Sequence, residues 1–524
     1  MDEQIQELRA AYREGRIDRR EFLRWSAVLG LLAPFVDLPL ARAAAPSVRR
    51  GGTMKLATTA PTTIEPPALI DAPGIAVVQP VGEYLVTVDD KLRLHPQLAT
   101  SWKASERGQT WTVSLRRGVT FHNGKLLTAD DVVATFKRLV DPKGSSSALS
   151  SLSFLTMEGV RKVDQFTVAF HLERPVADFP YYLNTYQAVI LPANWPGHFA
   201  KNPIGTGPFK LVEYVPKQRA RYVKNPTYWQ KGLPYLDGVE ITLGLSTDGQ
   251  VTALLGGSAD VLVTTPATAL PALRASSNVK VLTARTSAHN GIFMRTDKEP
   301  FTDKRVRQAM ALCLNRPDVA KSVEQGLGVI GDDTVIAPVF PLYSPIAQRV
   351  QNYNMARALL HAAGHPNGFS LTLTTASDTA GLVPLATVAQ QMWKPAGIKV
   401  KIKSEPGSVY YVNDWLQAPL TVTDWTHRPT PSQFLDTAYR SGAVWNASHW
   451  SNATFDRLTS ELDATLDFTK RKVIAKQIAL LMHDEVPAII PVFNDAPRAM
   501  RANVQGVVAD PSSFVDLSHA YFSS

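Results

Sequence analysis

The chain has 524 residues, enough for two or three domains, because a single hydrophobic core stops growing near about 250–300 residues. Hydrophobic residues at 45% and charged ones at 19%, with no long biased tract, describe an ordered globular chain and exclude a disordered one. The formal charge of +9 is scattered and forms no Lys/Arg block, so no nucleic-acid partner is expected.

At the N-terminus, Asp18-Arg19-Arg20-Glu21-Phe22-Leu23-Arg24 lead into an apolar run from Trp25 to Leu40 and then the small residues Ala41 to Ala45, with Arg42 among them. That is the order of charged region, apolar region and cleavage site in a signal peptide. The run carries Pro34, Asp37 and Pro39 and falls short of the ~20 residues of a spanning helix, so no permanent anchor is expected. Arg19 and Arg20 with Phe22 and Leu23 resemble a twin-arginine export signal; the alternative is an ordinary secretory signal that happens to carry two arginines. Cleavage is expected after Ala43, since cleavage after Ala45 would leave Pro46 first, and the mature protein is expected in the periplasm.

Strands and helices then interleave. Met54 and Leu56 open a short strand; Trp111, Val113, Leu115 alternate, as do Phe166, Val168, Phe170, Leu172 and Val239, Ile241, Leu243, Leu245. Thr128 with Asp131 three residues on predicts a helix cap, followed by Val132, Val133, Phe136, Leu139 at helical spacing. Thr302 is expected to start a second helix in the same way, with Val306, Ala309, Met310 and Cys313 inward. That makes the single cysteine a core residue, and no internal disulfide is possible. Phe369, Leu371, Leu373 and Ile398, Val400, Ile402 predict two strands flanking a helix that ends over Gln390 to Pro395, a βαβ-like unit. Thr469 is expected to cap a late helix with Ile474, Ile478 and Leu481 inward, and Val486 to Phe493 to return as a strand interrupted by Pro487 and Pro491.

Motifs for catalysis are weak. Gly326-Leu327-Gly328-Val329-Ile330-Gly331 fits G-x-G-x-x-G literally, but it follows a helix and runs into Asp332-Asp333, whereas a dinucleotide loop follows a strand and opens a helix. His361 and His365 have the spacing of a metal pair, yet Gly364 between them reads as a helix end that turns His365 away. The reading is therefore not an enzyme, with no cofactor and no metal.

Several blocks in order carry a family resemblance. They are Leu98-Ala99-Thr100-Ser101-Trp102; Trp111 to Lys125; Leu127 to Val133; Pro203-Ile204-Gly205-Thr206-Gly207-Pro208-Phe209; Asn225-Pro226-Thr227-Tyr228-Trp229; Pro300 to Ala309; and Ala358-Leu359-Leu360 with Gly364 to Phe369. Together they resemble family 5 extracytoplasmic solute-binding proteins of ABC importers, the dipeptide, oligopeptide and nickel receptor group. Gly118, Gly124 and Gly207 read as turn glycines with positive φ, and Trp102 and Phe121 as core aromatics.

The resemblance implies an α/β, two-lobed periplasmic-binding-protein fold of type II, in the large class with an extra subdomain, and a ligand in the cleft between lobes. The expected division is a signal peptide over 1–43, a first lobe over 44–285 with the subdomain at about 86–190, a second lobe over 286–489, and a return to the first lobe over 490–524. Chain crossings are placed near Arg285 to Ile292 and Glu485 to Asn494. The implied function is the substrate-binding component of an ABC importer, a monomer handing a small solute to a membrane permease and ATPase. A sensor or chaperone on the same fold is the alternative.

Peptide-binding members resemble one another in a second-lobe tryptophan followed by an aspartate-rich stretch that anchors the ligand's amino group. Here the matching run is Asp424-Trp425-Thr426-His427-Arg428-Pro429-Thr430-Pro431, with His427 and Arg428 where acidic residues are expected. A guanidinium prefers carboxylate or phosphate, so an acidic solute is expected, although a structural surface arginine is the bland reading. Trp445, Asn446 and His449 lie in a run dense in aromatics and amides, suited to a polar pocket or to the core. On the first lobe the family pattern turns the loop with Thr59 and Pro61 toward the cleft. The expected ligand-binding set is thus Thr59, Pro61, Trp425, His427, Arg428, Trp445, Asn446 and His449.

Overall fold

The computed structural model of the protein describes residues 48–523; the expected export signal, with Arg19, Arg20 and Ala43, lies outside them. In chain order the strands are β1 (Thr53–Ala57), β2 (Val86–Val88), β3 (Leu94–Pro96), β4 (Ala99–Ser105), β5 (Thr110–Leu115), β6 (Leu155–Asp164), β7 (Thr167–Leu172), β8 (Phe209–Val215), β9 (Arg219–Lys224) and β10 (Gly238–Thr242). They continue as β11 (Val261–Leu262), β12 (Val279–Met294), β13 (Val329–Ile330), β14 (Ser370–Ala376), β15 (Lys399–Glu405), β16 (Leu420–Trp425), β17 (Ala488–Ile489) and β18 (Val492–Arg501). One 12-stranded sheet runs β15-β14-β16-β12-β18-β11-β1-β10-β9-β8, with β13 on β18 and β17 on β12. A separate sheet, β4-β5-β7-β6, forms an added layer from the first half of the chain.

Alternation explains the added sheet. Trp111, Val113 and Leu115 on β5 face the core with Val168, Phe170 and Leu172 on β7, while the residues between them face outward. Over this face lies the helix Ala129–Leu139. Thr128 and Asp131 close the expected capping box, and Val132, Phe136 and Leu139 are wholly buried. In the second half, β14 and β15 are parallel and joined by the helix Leu382–Trp393, the right arrangement for a βαβ unit.

The long strand β12 serves both halves of the sheet. Val279 to Arg285 pairs with Arg501 to Asp495 of β18; after a bulge, His289 to Met294 pairs with Trp425 to Leu420 of β16. The bulge holds Thr286, Ser287 and Ala288. A bulge frees backbone groups and bends the strand.

Several local expectations are corrected. The Cys313 helix, Lys304–Leu312, is capped by Asp303, whose carboxylate accepts from Arg305 N; the Thr302 hydroxyl donates to Glu299 instead. The late helix Phe468–Glu485 is capped by Asp467, not Thr469. In both cases a carboxylate reached the free amides of the first turn before the threonine could. Along that late helix Met482 is buried while Leu481 is only half-buried. Gly118 and Gly124 have φ of +79° and +83°, but Gly207 does not belong with them. Its missing side chain serves close approach, since a Cβ there would lie 2.6 Å from Val81 O.

Candidate functional site

At the β12 bulge Ser287 takes hold of the loop after β16. Its amide donates to His427 Nδ1 at 3.1 Å, its hydroxyl donates to Arg428 O at 2.8 Å, and Arg428 N donates back to that hydroxyl at 3.0 Å. Ser287 is fully buried and was not singled out in the sequence; only its place at a bulge marks it. The clamp fixes the backbone of Arg428, whose half-buried side chain borders open space.

Arg428 lines three adjoining chambers. The first, of about 420 Å³, lies between Asp71, Tyr181, Tyr186 and Phe514 from the two ends of the chain and Thr286, Thr426, Gln433 and Asn494 from the middle and the crossing strands. The second, of about 530 Å³, is lined by Ser147, Ser150, Ser151 and Ser153 opposite Gln433, Arg440 and Trp445. The third, of about 420 Å³, is walled by Tyr411, Trp415, Trp425 and Trp445.

Electrostatically the site is uneven. In the first chamber Asp71 is spent on Thr62 N and Gly74 N, and Asp495 on Arg285 and Gly328 N. In the second, Arg174 and Arg440 both pair with Asp436 and Asp463. Arg428 has only Thr426 Oγ1, at 3.2 Å, and forms no ion pair among the described residues. Burial and nothing else weakens its hold on its proton, and an arginine stays charged regardless. His427 is different. Burial, with help from Arg428, pushes its pKa down to about 3. The ring is therefore neutral, and since Nδ1 accepts from Ser287, the proton sits on Nε2. It is an uncharged spacer held by the bulge.

The remaining expected residues fall in different places. Trp425 and Trp445 come together, with ring centroids 6.0 Å apart and Trp415 at 6.4 and 6.3 Å from them. The indole N–H groups of Trp415 and Trp425 are buried without a partner. Asn446 is buried and uses its amide within its own turn, accepting from Ser448 and Trp450 N and donating to Trp450 O. His449 bonds Leu416 O at 3.0 Å and lies 3.8 Å from Asp297. Thr59 is exposed and Pro61 half-buried, and neither lines the three chambers. Trp450 is a core residue whose ring lies tilted against Phe455, with centroids 4.8 Å apart.

Ion pairs also bridge the added sheet and the late helices. Arg174, just past β7, reaches Asp436 at 2.6 Å and Asp463 at 2.9 Å; Arg471 reaches Asp178 at 2.7 Å. Leu92, at the tip of the β2–β3 hairpin, is buried in a cluster that includes Val335, Phe340, Ile474 and Ile478.

Comparison with known proteins gives a consistent picture. The profile of bacterial extracellular solute-binding proteins, family 5, matches residues 93–446. The dipeptide-binding protein of Escherichia coli K12 is 28% identical over 449 residues, covering 79% of this chain and 84% of that protein. Heme-binding protein A of Haemophilus influenzae is 26% identical over 453 residues, covering 80% and 83%. Among solved structures, HbpA2 from Haemophilus parasuis superposes with a TM-score of 0.81 at 23% identity, covering 90% of this chain and all of that one. AgaA from A. tumefaciens R10, in complex with agropinic acid, superposes with a TM-score of 0.72 at 24% identity, covering 90% and 99%. The fold is thus the two-lobed one of periplasmic binding proteins.

Proposed function

The chain belongs to family 5 of the bacterial extracellular solute-binding proteins, and from that premise we propose that it is the substrate-binding component of an ABC importer. It takes a small, peptide-like or other polar solute with an acidic group between its lobes and delivers it to a membrane permease and ATPase, with no chemistry of its own. The relatives bear names such as dipeptide-binding protein and periplasmic peptide-transport protein, which supports transport and a periplasmic address; export through the Arg19-Arg20 signal, cut after Ala43, is the proposed route there. We assign the first lobe to residues 44–285 and 490–524, and the second to 286–489. In support, β12 pairs with β18 along Val279 to Arg285 and takes up β16 only beyond its bulge, from His289 to Met294.

The observation that carries the ligand class is Arg428: a guanidinium on a clamped backbone, lining three chambers, with no carboxylate partner among the described residues. A ligand carboxylate can be held by its fork of donors, with Trp425 and Trp445 against the apolar part. Native mass spectrometry of the protein from its own host identifies the co-purifying solute. Calorimetry then compares wild type and Arg428→Ala. The expected result is an acidic solute bound at least tenfold more weakly by the variant; a neutral best ligand, or equal binding, rejects the reading.

A further inference from the structure

Resting on the lobe assignment above, we propose that the β2–β3 hairpin is a latch: its tip residue Leu92 is a peg seated in the second lobe, and the wall of the first chamber opens when the peg leaves its seat. Leu92 is 1% exposed and belongs to a cluster whose other buried members, among the described residues, all come from Phe293 to Phe493. From the same hairpin Val88 packs against that cluster while remaining half-buried. The backbone of Leu92 stands at φ +55°, the left-handed region where a side chain is strained and glycine is the ordinary choice. An exposed turn tip would be served better by glycine. A leucine in this conformation is held there by the apolar surface its side chain buries.

The turn is built to hold the peg in place. Asp89 Oδ1 accepts from Lys91 N at 2.9 Å and Arg93 N at 2.8 Å, Asp89 Oδ2 accepts from Arg93 Nε at 2.7 Å, and Leu92 N donates to Asp89 O at 2.9 Å. The Tyr181 hydroxyl donates to Leu92 O at 2.8 Å, and Tyr181 lies on the short helix Phe179–Tyr182 directly after Asp178. Asp178 pairs with Arg471, and Arg471, Ile474 and Ile478 form one buried face of the helix Phe468–Glu485. The ion pair and part of the apolar seat thus share one helix face. Val88 and Tyr181 also line the first chamber, so a move of the hairpin is a move of that chamber's wall. The seam beside the peg is polar and incompletely matched. Ala177 N donates to Asp463 O at 2.8 Å, yet Asp178 Oδ2 and Asp463 Oδ1 are buried without a hydrogen-bond partner. Water satisfies such atoms when the seam parts, which makes this contact easier to separate than a dry core.

The test is native-state labelling with iodoacetamide of the full chain carrying Leu92→Cys, read site by site by peptide mass spectrometry. Cys313, buried in a different core cluster, is the internal standard for global unfolding, and Lys91→Cys gives the rate of an exposed thiol on the same turn. Position 92 is expected to react at least tenfold more slowly than position 91 and at least tenfold faster than Cys313, because the seat opens while the rest of the fold stays intact. Asp178→Asn, which keeps the shape of the pair and removes its charge, should raise the rate at position 92 severalfold and leave that of Cys313 unchanged. Labelling at 92 as fast as at 91 means that no peg is seated. Labelling as slow as Cys313 means an ordinary core residue released only by global unfolding, and a parallel rise at Cys313 in Asp178→Asn means a pair that supports the whole fold; each of the three overturns the latch. Where Leu92→Cys does not fold, seen as immediate labelling of Cys313, Val88→Cys on the same hairpin carries the same comparison. The calorimetry of Arg428→Ala does not involve this contact, so failure of the latch leaves the acidic-solute reading standing, and failure of that reading is seen separately.

Discussion

Single residues here are set by their nearest donors and by exclusion of water. His289 is buried between Phe434 and Phe493, and burial pushes its pKa from 6.5 down to about 4. The unfolded chain takes up a proton on this ring below about 6.5 and the folded one only below about 4, so stability falls as pH drops through that window. The loss attributable to this one ring is up to about 1.4 kcal/mol per pH unit. His289→Gln, which cannot titrate, should lose less stability between pH 7 and 4.5 by urea denaturation; an equal loss would show that the ring does not titrate differently on unfolding. Cys313 is likewise buried, and its thiol is pushed up to about 12. It should resist a thiol reagent in the native protein and react fully in denaturant, and rapid native labelling would place it at the surface.

At the scale of elements, the glycine run Gly326 to Gly331 shows how a motif can be literal and empty. Gly328 has φ of +120°, and a Cβ there would stand 2.4 Å from Phe493 O; at Gly331 it would stand 2.3 Å from Ile490 O. These glycines let β13 lie against β18, and no helix follows them. Gly328→Ala should lower the melting temperature by several degrees, and an unchanged one would refute the close-approach account. The run ends at Asp333, wholly buried, held by Arg316 at 2.7 Å and Arg349 at 2.8 Å. Removing one partner strands two buried guanidiniums, so Asp333→Ala should cost about 3–5 kcal/mol in denaturant titration. The sequence flagged Asp332-Asp333 only as a reason to doubt a nucleotide loop. The two arginines come from 17 and 16 residues away along the chain, and nothing in local pattern predicts that they meet.

For the whole molecule, the proposed function requires the two lobes to close over a solute. Binding should shift an open-to-closed equilibrium and shrink the radius of gyration in small-angle scattering; an unchanged radius at saturation would count against closure. The Arg174 pairs with Asp436 and Asp463 join the added sheet to the late helices, so Arg174→Ala should enlarge the ligand-free particle and weaken every ligand by a similar factor. A loss confined to acidic ligands would instead assign Arg174 to recognition.

Periodicity by itself determined the strands around Trp111, Val168 and Leu373, the Thr128 capping box and the inward face of the Cys313 helix, because these depend on residues within a few positions of one another. The ordered motif blocks determined the family for the same reason: each is a local turn or edge with its own geometric demand. What only the tertiary structure decided is the site. Ser287 clamps residues 140 and 141 positions away, the neutral state of His427 follows from burial, and Asn446 turns out to spend its amide on its own turn. Whether Arg428 is paired or free depends on which charges the fold brings within reach, a three-dimensional sum that no stretch of the chain contains.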